Sequence, residues 1–383
     1  MDSLPVFIHV LGLAVFAQGT SEFMLSGLAP GIARDLSVPV AAAASLTSAY
    51  AIGMVVGAPA MAAWSAHWPR RRALAGFLAA FVAVHAVGAV TDDFAVLFGT
   101  RIVAAVVNAG FLAVAMSVAT SLVAPERQGR ATAVLLSGVT LACVAGVPAG
   151  ALLGERAGWR AAFWAVAALC LPALALVYRS APADAARRAE VPVRREARVL
   201  TARPVRSALL LAAVVNGATF ATFAYLAVIA TDVTGLPGAA VPGLLAAFGA
   251  GAFAGVTVAG RKGDGRLFPA LAALPAGWAV LAVAGAHALP LFVAATVLGA
   301  LSFGVGSALV NRALKAAADA PALGGAFATA ALNVGAFTGP LLAGAATSGT
   351  GDQRAAAWVS AALAATGVVI AAGVARGRRN PVA

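Results

Sequence analysis

The sequence predicts an all-α integral membrane protein with 12 transmembrane helices, arranged as two six-helix, pseudo-symmetric bundles. Of its 383 residues, 62% are hydrophobic and only 10% are charged. The mean hydropathy of +0.93 describes more apolar surface than a water-soluble fold can cover. Apolar runs of the roughly 20 residues that one bilayer crossing needs recur about a dozen times, and the two halves of the chain resemble each other.

The apolar runs and the polar breaks between them define the candidate helices. Six runs precede a long polar connection and six follow it. The first run has no basic n-region and no early small-residue cleavage site, so it is predicted to be a retained helix and not a signal peptide. The predicted helices are 5–29, 40–64, 73–90, 94–122, 131–153, 161–178, 207–231, 241–260, 268–286, 290–314, 323–347 and 355–375.

The basic residues predict the orientation. Of the 26 Lys and Arg residues, 21 fall in alternate connections, four fall in the others, and Arg101 lies within an apolar run. By the positive-inside rule, both termini are expected in the cytoplasm and the chain in the cytoplasmic (inner) membrane. A net charge of +12 spread between apolar runs, and not gathered on one domain, argues against a nucleic-acid partner.

The long polar connection divides the chain into an N-terminal bundle (1–178), a basic cytoplasmic linker (179–206) and a C-terminal bundle (207–383). The linker arginines are expected to set topology and to meet anionic lipid. A shift of 198 residues aligns small or turn residues of the two halves without a gap, which indicates a duplication. The aligned pairs are Gly19 and Gly217, Pro39 and Pro237, Gly53 and Gly251, and Gly57 and Gly255.

Two ionisable residues lie within apolar runs, where a charge costs on the order of 3 kcal/mol. Glu22 and Arg101 each stand about seven residues from the outer helix end, roughly 10 Å deep, so we expect them at one depth. The repeat places Phe220 and Gly299 at the corresponding positions of the second half. This asymmetry favours proton coupling, in which Glu22 takes up a proton and Arg101 opposes its protonation. A structural ion pair, or an Arg101 bound to helix-end carbonyls, stays open.

Glycine and proline residues mark the fifth and eleventh predicted helices. Small residues four apart let helix backbones approach closely, and an intramembrane proline bends its helix. Their matching positions in the two halves predict a gating interface, although packing alone explains any single glycine. The residues are Gly146, Pro148, Gly150 and Gly154 in the first half, and Gly339 and Pro340 in the second.

Uncharged polar and aromatic residues within the spans are candidates for contacting a small-molecule substrate. A mostly apolar pocket with a few hydrogen-bonding groups is the usual form of such a site. Hydrogen bonds between helices remain an equal alternative for each residue taken alone. The candidates are Gln18, Asn108, Asn216, Thr219, Phe220, Tyr225 and Asn333.

The histidines and cysteines form no metal-ligand spacing. The four histidines fall near predicted helix ends or in connections and are interpreted as interfacial or packing residues. The two cysteines are interpreted as packing residues. No metal or cofactor is therefore expected. These residues are His9, His67, His85, His287, Cys143 and Cys170.

Several motifs resemble the 12-helix drug:proton antiporters of the major facilitator superfamily. The segment GVPAGALLG, followed by GWR at 158–160, is similar to the antiporter motif of the fifth helix. Arg101, in TRIVAAVVNAG, matches the arginine that the family implicates in proton transfer. The segments VFAQGTSEFMLSGL and GGAFATAALNVGA are similar to actinobacterial chloramphenicol exporters.

The loop between helices 2 and 3 departs from the family pattern G-x-L-A-D-R-x-G-R-R. Here it reads AAWSAHWPRRR, with Ala66 in place of the Asp and Pro69 in place of the Gly. Only the arginines match, of which Arg70 and Arg71 are candidates for the gating contact. The second half keeps Asp264, which the 198-residue shift aligns with Ala66.

The resemblance implies proton-coupled efflux of chloramphenicol or related phenicols by alternating access, with the drug bound between the halves. Protons, the drug and the bilayer are then the partners, and we expect a monomer. Sugars, nucleosides or a broad set of hydrophobic drugs are alternative cargoes. A channel or a membrane enzyme is a remote alternative, because the spans contain no paired carboxylates, histidine cluster or nucleophile-base set.

Overall fold

A computed structural model describes residues 5–65, 68–180, 202–262, 267–317 and 323–379. Within these ranges the chain forms helices joined by short connections, and no strand occurs. The α-helices are α1 (Val6–Phe23), α2 (Leu25–Asp35), α3 (Val40–Ser65), α4 (Arg70–Val90), α5 (Phe94–Ser121), α6 (Gln128–Leu141), α7 (Val147–Ala157), α8 (Trp159–Ser180), α9 (Arg203–Phe223), α10 (Leu226–Val228), α11 (Val241–Lys262), α12 (Leu267–Ala284), α13 (Ala288–Ala316), α14 (Leu323–Thr350) and α15 (Ala355–Arg379).

Twelve helical stretches of the described residues are long and apolar enough to cross a membrane. Large apolar side chains point away from the protein along these stretches, as Val6, Leu289 and Val369 do at 78%, 75% and 71% exposure. Such side chains are stable in hydrocarbon and would be costly in water. The predicted all-α, 12-helix membrane fold is confirmed.

The helices group into two compact units by their internal contacts. The first contains Met1–Pro39 and Ala49–Ala189, and the second contains Val40–Ser48 and Glu190–Ala383. The predicted linker at 179–206 lies mostly outside the described residues, so its role stays a prediction. Within the first unit α1 packs on α6 and α4 packs on α8; within the second, α9 packs on α14 and α12 packs on α15. In each half, the first membrane span thus packs on the fifth and the third packs on the sixth.

The internal repeat extends to the packing of α3 on α5 and of α11 on α13. Gly53 approaches α5 so closely that a Cβ there would meet the carbonyl of Ile102, and a Cβ at Gly251 would meet Thr296 and the nitrogen of Ala300, the latter at 3.2 Å. Ile102 and Ala300 are themselves 198 residues apart. The same close contact therefore occurs in both halves with a glycine at the same position, because only a residue without a Cβ allows the two helices to approach this closely.

The first helix of each half is interrupted where the sequence predicts a continuous helix. The first breaks at Met24, between α1 and α2, and no proline lies at the break. There the Ser26 hydroxyl donates to the Phe23 carbonyl at 3.0 Å. The second breaks at Ala224 and Tyr225, after α9. Interrupted helices in matching positions of two halves are a known feature of transporter sites.

Helix 5 of the first half changes to π-helical geometry before its proline. Residues Ala142–Gly146 form the π segment, and the Val147 amide donates to the Ala142 carbonyl. Pro148 follows directly and has no N–H to continue the α-helical ladder, which explains the local rearrangement. The predicted single helix 131–153 is therefore two α-helices joined by a π turn.

Glycines bring α14 against α9 in the second unit. A Cβ on Gly335 would lie 2.7 Å from the Gly217 nitrogen, and a Cβ on Gly339 would lie 3.0 Å from the Gly217 carbonyl carbon. The atoms in the way belong to the backbone and cannot rotate aside. The close approach therefore depends on glycine in both helices.

We expect Gly339→Ala to lower the apparent Tm of the detergent-purified protein, because the new methyl would force α9 and α14 apart at a cost of about 1–3 kcal/mol. Gly349→Ala is the matched control in the same helix, since a Cβ there meets nothing within 4 Å. Thermal unfolding followed by tryptophan fluorescence measures both. Equal Tm values for the two variants would contradict this account of the packing.

Candidate functional site

Arg101 is a buried cation held by neutral partners. It lies on α5 with 1% exposure. Its Nη2 donates to the Ser21 carbonyl at 2.8 Å and to the Ser21 hydroxyl at 3.0 Å, and its Nη1 lies 3.4 Å from His85 Nε2. Ser21 directly precedes Glu22, so Arg101 reaches α1 next to Glu22.

His85 completes this arrangement from α4. Its Nδ1 lies 2.8 Å from the Phe81 carbonyl, which can only accept, so Nδ1 carries the proton of the neutral ring. Nε2 is then the acceptor for the Ser21 hydroxyl at 2.5 Å. Ser21 in turn accepts from Arg101, which fixes the direction of each bond. Of the two interpretations of His85, an interfacial residue is excluded because it is 1% exposed; it is packed between helices and is also hydrogen-bonded.

Aromatic rings surround the guanidinium on its remaining sides. The Arg101 Cζ lies 4.8 Å from the centre of the Tyr50 ring and 5.4 Å from that of Phe163. Both distances fall within the range of cation–π attraction. The Nε of Arg101 has no hydrogen-bond partner among the described residues. The direct contacts of the cation are thus dipoles and rings, and no carboxylate of the described residues forms an ion pair with it.

Glu22 is half-buried at the end of α1, next to the helix interruption. It is close enough to Arg101, Tyr50 and Cys143 for electrostatic interaction. Within the described part of the chain, neither an ion pair nor a hydrogen bond engages its carboxylate. The structure therefore places Glu22 near Arg101 without pairing the two; their roles in proton coupling stay predictions.

Gln18 is the most distinctive of the predicted substrate-binding residues in the first unit. It is 1% exposed, and neither its amide nitrogen nor its amide oxygen has a hydrogen-bond partner among the described residues. A buried amide without partners is costly. A ligand that both accepts and donates a hydrogen bond would satisfy it. Asn108 is also buried; its amide nitrogen lies 3.7 Å from Met54 Sδ, and its side chain interacts with that of Tyr50.

The candidates of the second unit are mostly engaged within that unit. Asn216 donates to the Leu332 carbonyl at 2.7 Å and ties α9 to α14. Thr219 and Asn333 donate to the Val215 and Thr329 carbonyls of their own helices. Phe220 packs edge-to-face on Phe223, and Tyr225 is fully buried. The alternative of structural hydrogen bonds thus applies to the three polar residues, and their role in binding stays a prediction.

The glycines of the antiporter motif pack against the first helix of their own unit. A Cβ at Gly146 would meet Thr20, one at Gly150 would lie 3.2 Å from the Met24 Cβ, and one at Gly154 would meet Leu28. The three glycines and the three residues that they face are each spaced four apart. One face of helix 5, from Gly146 into α7, therefore runs along one face of α1 and α2. A gating role for this motif stays a prediction; the described contact is packing within the first unit.

The GWR motif fixes the C-terminal end of α2. Gly158 has φ +80°, a backbone conformation that favours glycine, and it joins α7 to α8. The Trp159 Nε1 donates to Asp35 at 2.9 Å, and Arg160 pairs with both Asp35 and Asp92. The Trp159 hydrogen bond, followed by that of Arg160, holds the pKa of Asp35 below its ordinary value. One arginine thus links α2, α8 and the connection between α4 and α5.

The arginines of the loop between α3 and α4 also contact their own unit. Arg70 Nη1 lies 3.3 Å from the Ser121 hydroxyl of α5. The Arg71 Cζ lies 4.7 Å from the centre of the Tyr178 ring of α8. Asp264, the predicted acidic partner of the second half, lies outside the described residues. The gating contact predicted for these residues therefore stays untested.

Comparison with known proteins identifies the family. The model of the Major Facilitator Superfamily matches residues 11–311. The chain belongs to this superfamily. It is 50% identical to the "Chloramphenicol resistance protein" of Streptomyces lividans over 96% of both chains. It is 32% identical to a "Chloramphenicol efflux pump" of Mycobacterium tuberculosis (strain ATCC 25618 / H37Rv), covering 88% of this chain and 84% of that one.

Solved structures agree with the superfamily fold. A bacterial homologue of the human lysosomal transporter Spinster, in an inward-facing and unoccupied conformation, superposes with a TM-score of 0.75. The alignment covers 98% of this chain and 96% of that one at 16% identity. At this identity the likeness concerns the fold alone.

The sequence did not identify three residues of the Arg101 site: Ser21, Tyr50 and His85. Each is buried, with at most 1% exposure. A serine or tyrosine in a membrane helix is common, so neither residue stands out by type. His85 carried a usable signal, because it stands inside an otherwise apolar stretch, FVAVHAVGAV, where a polar ring needs a partner. In the present fold that position faces α1 and α5.

We expect Asp35→Asn to lower the apparent Tm at neutral pH by roughly 1–2 °C, since an exposed ion pair contributes little. The depressed pKa of Asp35 means that its carboxylate stabilises the fold above about pH 4, the unfolded value, and that this contribution is lost as the pH falls further. The Tm difference from wild type should therefore shrink between pH 7 and pH 3.

Glu155→Gln is the control for this measurement, because Glu155 is an exposed carboxylate of α7. It should not change the Tm at either pH. A Tm difference between Asp35→Asn and wild type that persists unchanged at pH 3 would show that the carboxylate charge is not what stabilises the C-terminal end of α2.

Proposed function

We propose that this protein exports chloramphenicol or a related phenicol across the cytoplasmic membrane in exchange for protons, by alternating access, and so confers resistance. The observation that carries the drug assignment is the 50% identity to the Streptomyces lividans chloramphenicol resistance protein over 96% of both chains. A relative named as a chloramphenicol efflux pump supports transport as the route of resistance. The protein acts as a transporter and not as an enzyme, and both termini lie in the cytoplasm.

The proton enters at Glu22. Its carboxylate has no ion-pair partner among the described residues and lies beside the interruption of helix 1. An ionised carboxylate in a membrane span is costly unless a cation is near. Arg101 provides that charge from a fixed position, bound to Ser21. With Glu22 ionised, the charges of Glu22 and Arg101 cancel and the site is neutral overall. With Glu22 protonated, the site carries the net positive charge of Arg101, so the two protonation states favour different conformations of the helices around it.

The drug binds through neutral groups. Phenicols carry an amide, two hydroxyls and an aromatic ring, and have no charge at neutral pH. The Gln18 amide offers one acceptor oxygen and one donor nitrogen, both buried and without partners in the described structure. Gln18 lies one helical turn before Glu22 on α1, so drug and proton act on the same helix face.

We expect Glu22→Gln to abolish export driven by the pH gradient, because glutamine cannot exchange a proton. Accumulation of radiolabelled chloramphenicol is compared in cells that express wild type, Glu22→Gln or the Glu155→Gln control at equal levels, with and without a protonophore. Wild type and control should lower accumulation, and the protonophore should remove the effect.

Each departure from this pattern rejects a different part of the proposal. Wild-type cells that accumulate as much drug as empty cells would reject the phenicol assignment and leave a transporter of another cargo. Export by Glu22→Gln that persists and still collapses with the protonophore would reject Glu22 as the proton carrier.

We expect Gln18→Met to raise the KM for chloramphenicol roughly tenfold, the loss of about one hydrogen bond. The same change should leave the Tm equal or higher, because it removes a buried amide that has no partner. Transport into inverted vesicles measures the KM, and thermal unfolding measures the Tm.

Asn216→Leu provides the contrast, because its amide is bonded to the Leu332 carbonyl. That variant should lose stability, because it removes the hydrogen bond that ties α9 to α14. If Gln18→Met lowered the Tm to the same extent without a change in KM, Gln18 would be a structural residue.

A further inference from the structure

The Arg101 site contains a hydrogen-bond chain that the proposed function does not use. It runs from the Phe81 carbonyl through His85 and the Ser21 hydroxyl to the guanidinium of Arg101. Three helices contribute to it: α4, α1 and α5. Its members are fully buried, so water does not compete for these bonds.

The direction of each bond in this chain depends on the protonation state of His85. A neutral ring with its proton on Nδ1 donates to Phe81 and presents Nε2 as an acceptor. The Ser21 hydrogen then points to Nε2, which leaves the Ser21 oxygen lone pairs for Arg101. A protonated ring would donate at Nε2 and compete with Arg101 for the same serine oxygen.

The guanidinium is thereby directed at Ser21 and not at the neighbouring carboxylate. Nη2 is engaged twice by Ser21, at 2.8 and 3.0 Å. Glu22 is the next residue along α1, yet no ion pair forms between it and Arg101 in the described structure. The other titratable groups around this cluster are Tyr50 on α3 and Cys143 in the π segment, together with Cys170 on α8, which interacts with Tyr50.

We propose that His85 is a positioning residue of the coupling site: through Ser21 it holds the guanidinium of Arg101 out of ion-pairing distance of Glu22 and so keeps the Glu22 carboxylate available for protonation. The role rests on the proposed function for its use in transport. Its geometric part does not depend on which drug is carried. Without the Nε2 acceptor the Ser21 hydroxyl is free to rotate. Arg101 then keeps its bond to the Ser21 carbonyl, but its remaining N–H groups are free to turn toward Glu22.

Two amide substitutions separate the two nitrogens of His85. In His85→Gln the side-chain oxygen replaces Nε2 as an acceptor, whereas in His85→Asn the amide nitrogen replaces Nδ1 as a donor and the Nε2 acceptor is lost. Both are neutral and cannot titrate. If His85 acts through Nε2, glutamine preserves the role and asparagine abolishes it.

The readout that does not need the drug is the reaction of protonated Glu22 with dicyclohexylcarbodiimide, a membrane-permeable reagent, in the full chain reconstituted in vesicles. Peptide mass spectrometry locates the label, and Glu22→Gln gives the background. At a pH where wild type is labelled, His85→Asn should lower the labelled fraction of Glu22 roughly tenfold, and His85→Gln should retain most of it. The same vesicles report chloramphenicol exchange driven by a pH gradient.

Equal labelling of wild type and His85→Asn would overturn the proposal, as would an equal loss in both His85 variants. Wild-type vesicles that carry no chloramphenicol while the labelling pattern holds would reject the proposed cargo and leave the role of His85 intact. Ser21→Ala guards against misfolding of a His85 variant, which gel filtration and Tm would detect. Ser21→Ala should lower the labelling of Glu22 as much as His85→Asn does. The double variant Ser21→Ala/His85→Asn should lower it no further than either single variant.

Discussion

The absence of water from the bilayer core is the constraint on which the rest of this structure depends. Every backbone amide and carbonyl must find its partner within the protein, so the described chain is helical throughout its spans. Where helix 1 is interrupted at Met24, a side chain replaces the missing backbone donor: the Ser26 hydroxyl donates a hydrogen bond to the Phe23 carbonyl. The same constraint makes a buried arginine expensive. Arg101 is accommodated by a serine, a histidine and two aromatic rings.

Helices in hydrocarbon gain little by hiding apolar surface from lipid, so close packing has to hold them together. The chain achieves this with glycines that face backbone across the contact. Gly53 meets Ile102, Gly251 meets Thr296 and Ala300, and Gly339 meets Gly217. Because the obstructing atoms are backbone, these pairs of helices behave as rigid elements. Each unit is built on the same pairs, as expected for a duplicated ancestor.

Helix 1 connects the functional features of the first unit. It carries Gln18, Ser21 and Glu22, and it packs along the glycine motif of helix 5 through Thr20. Its continuation after the interruption, α2, is fixed by Arg160 through Asp35. The residues proposed to take up the proton (Glu22) and to bind the ligand (Gln18), and the serine of the Arg101 hydrogen-bond chain, lie on one interrupted helix, so a shift in that helix would displace all three together. This gives the proposed coupling a physical basis in a single structural element.

The sequence by itself determined the fold class, the number of spans and the duplication, because hydropathy and small-residue spacing act locally along the chain. It also singled out Glu22 and Arg101, since a charge in an apolar run is conspicuous whatever surrounds it, and it placed them at one depth. The tertiary structure alone decided the contacts across helices. The hydrogen bonds of His85 to Ser21 and of Asn216 to Leu332 depend on which helix faces are apposed, as does the lack of a partner for Gln18 among the described residues. Residues 64 and 116 positions apart meet only after the helices have packed and rotated into register, and no local pattern specifies that rotation.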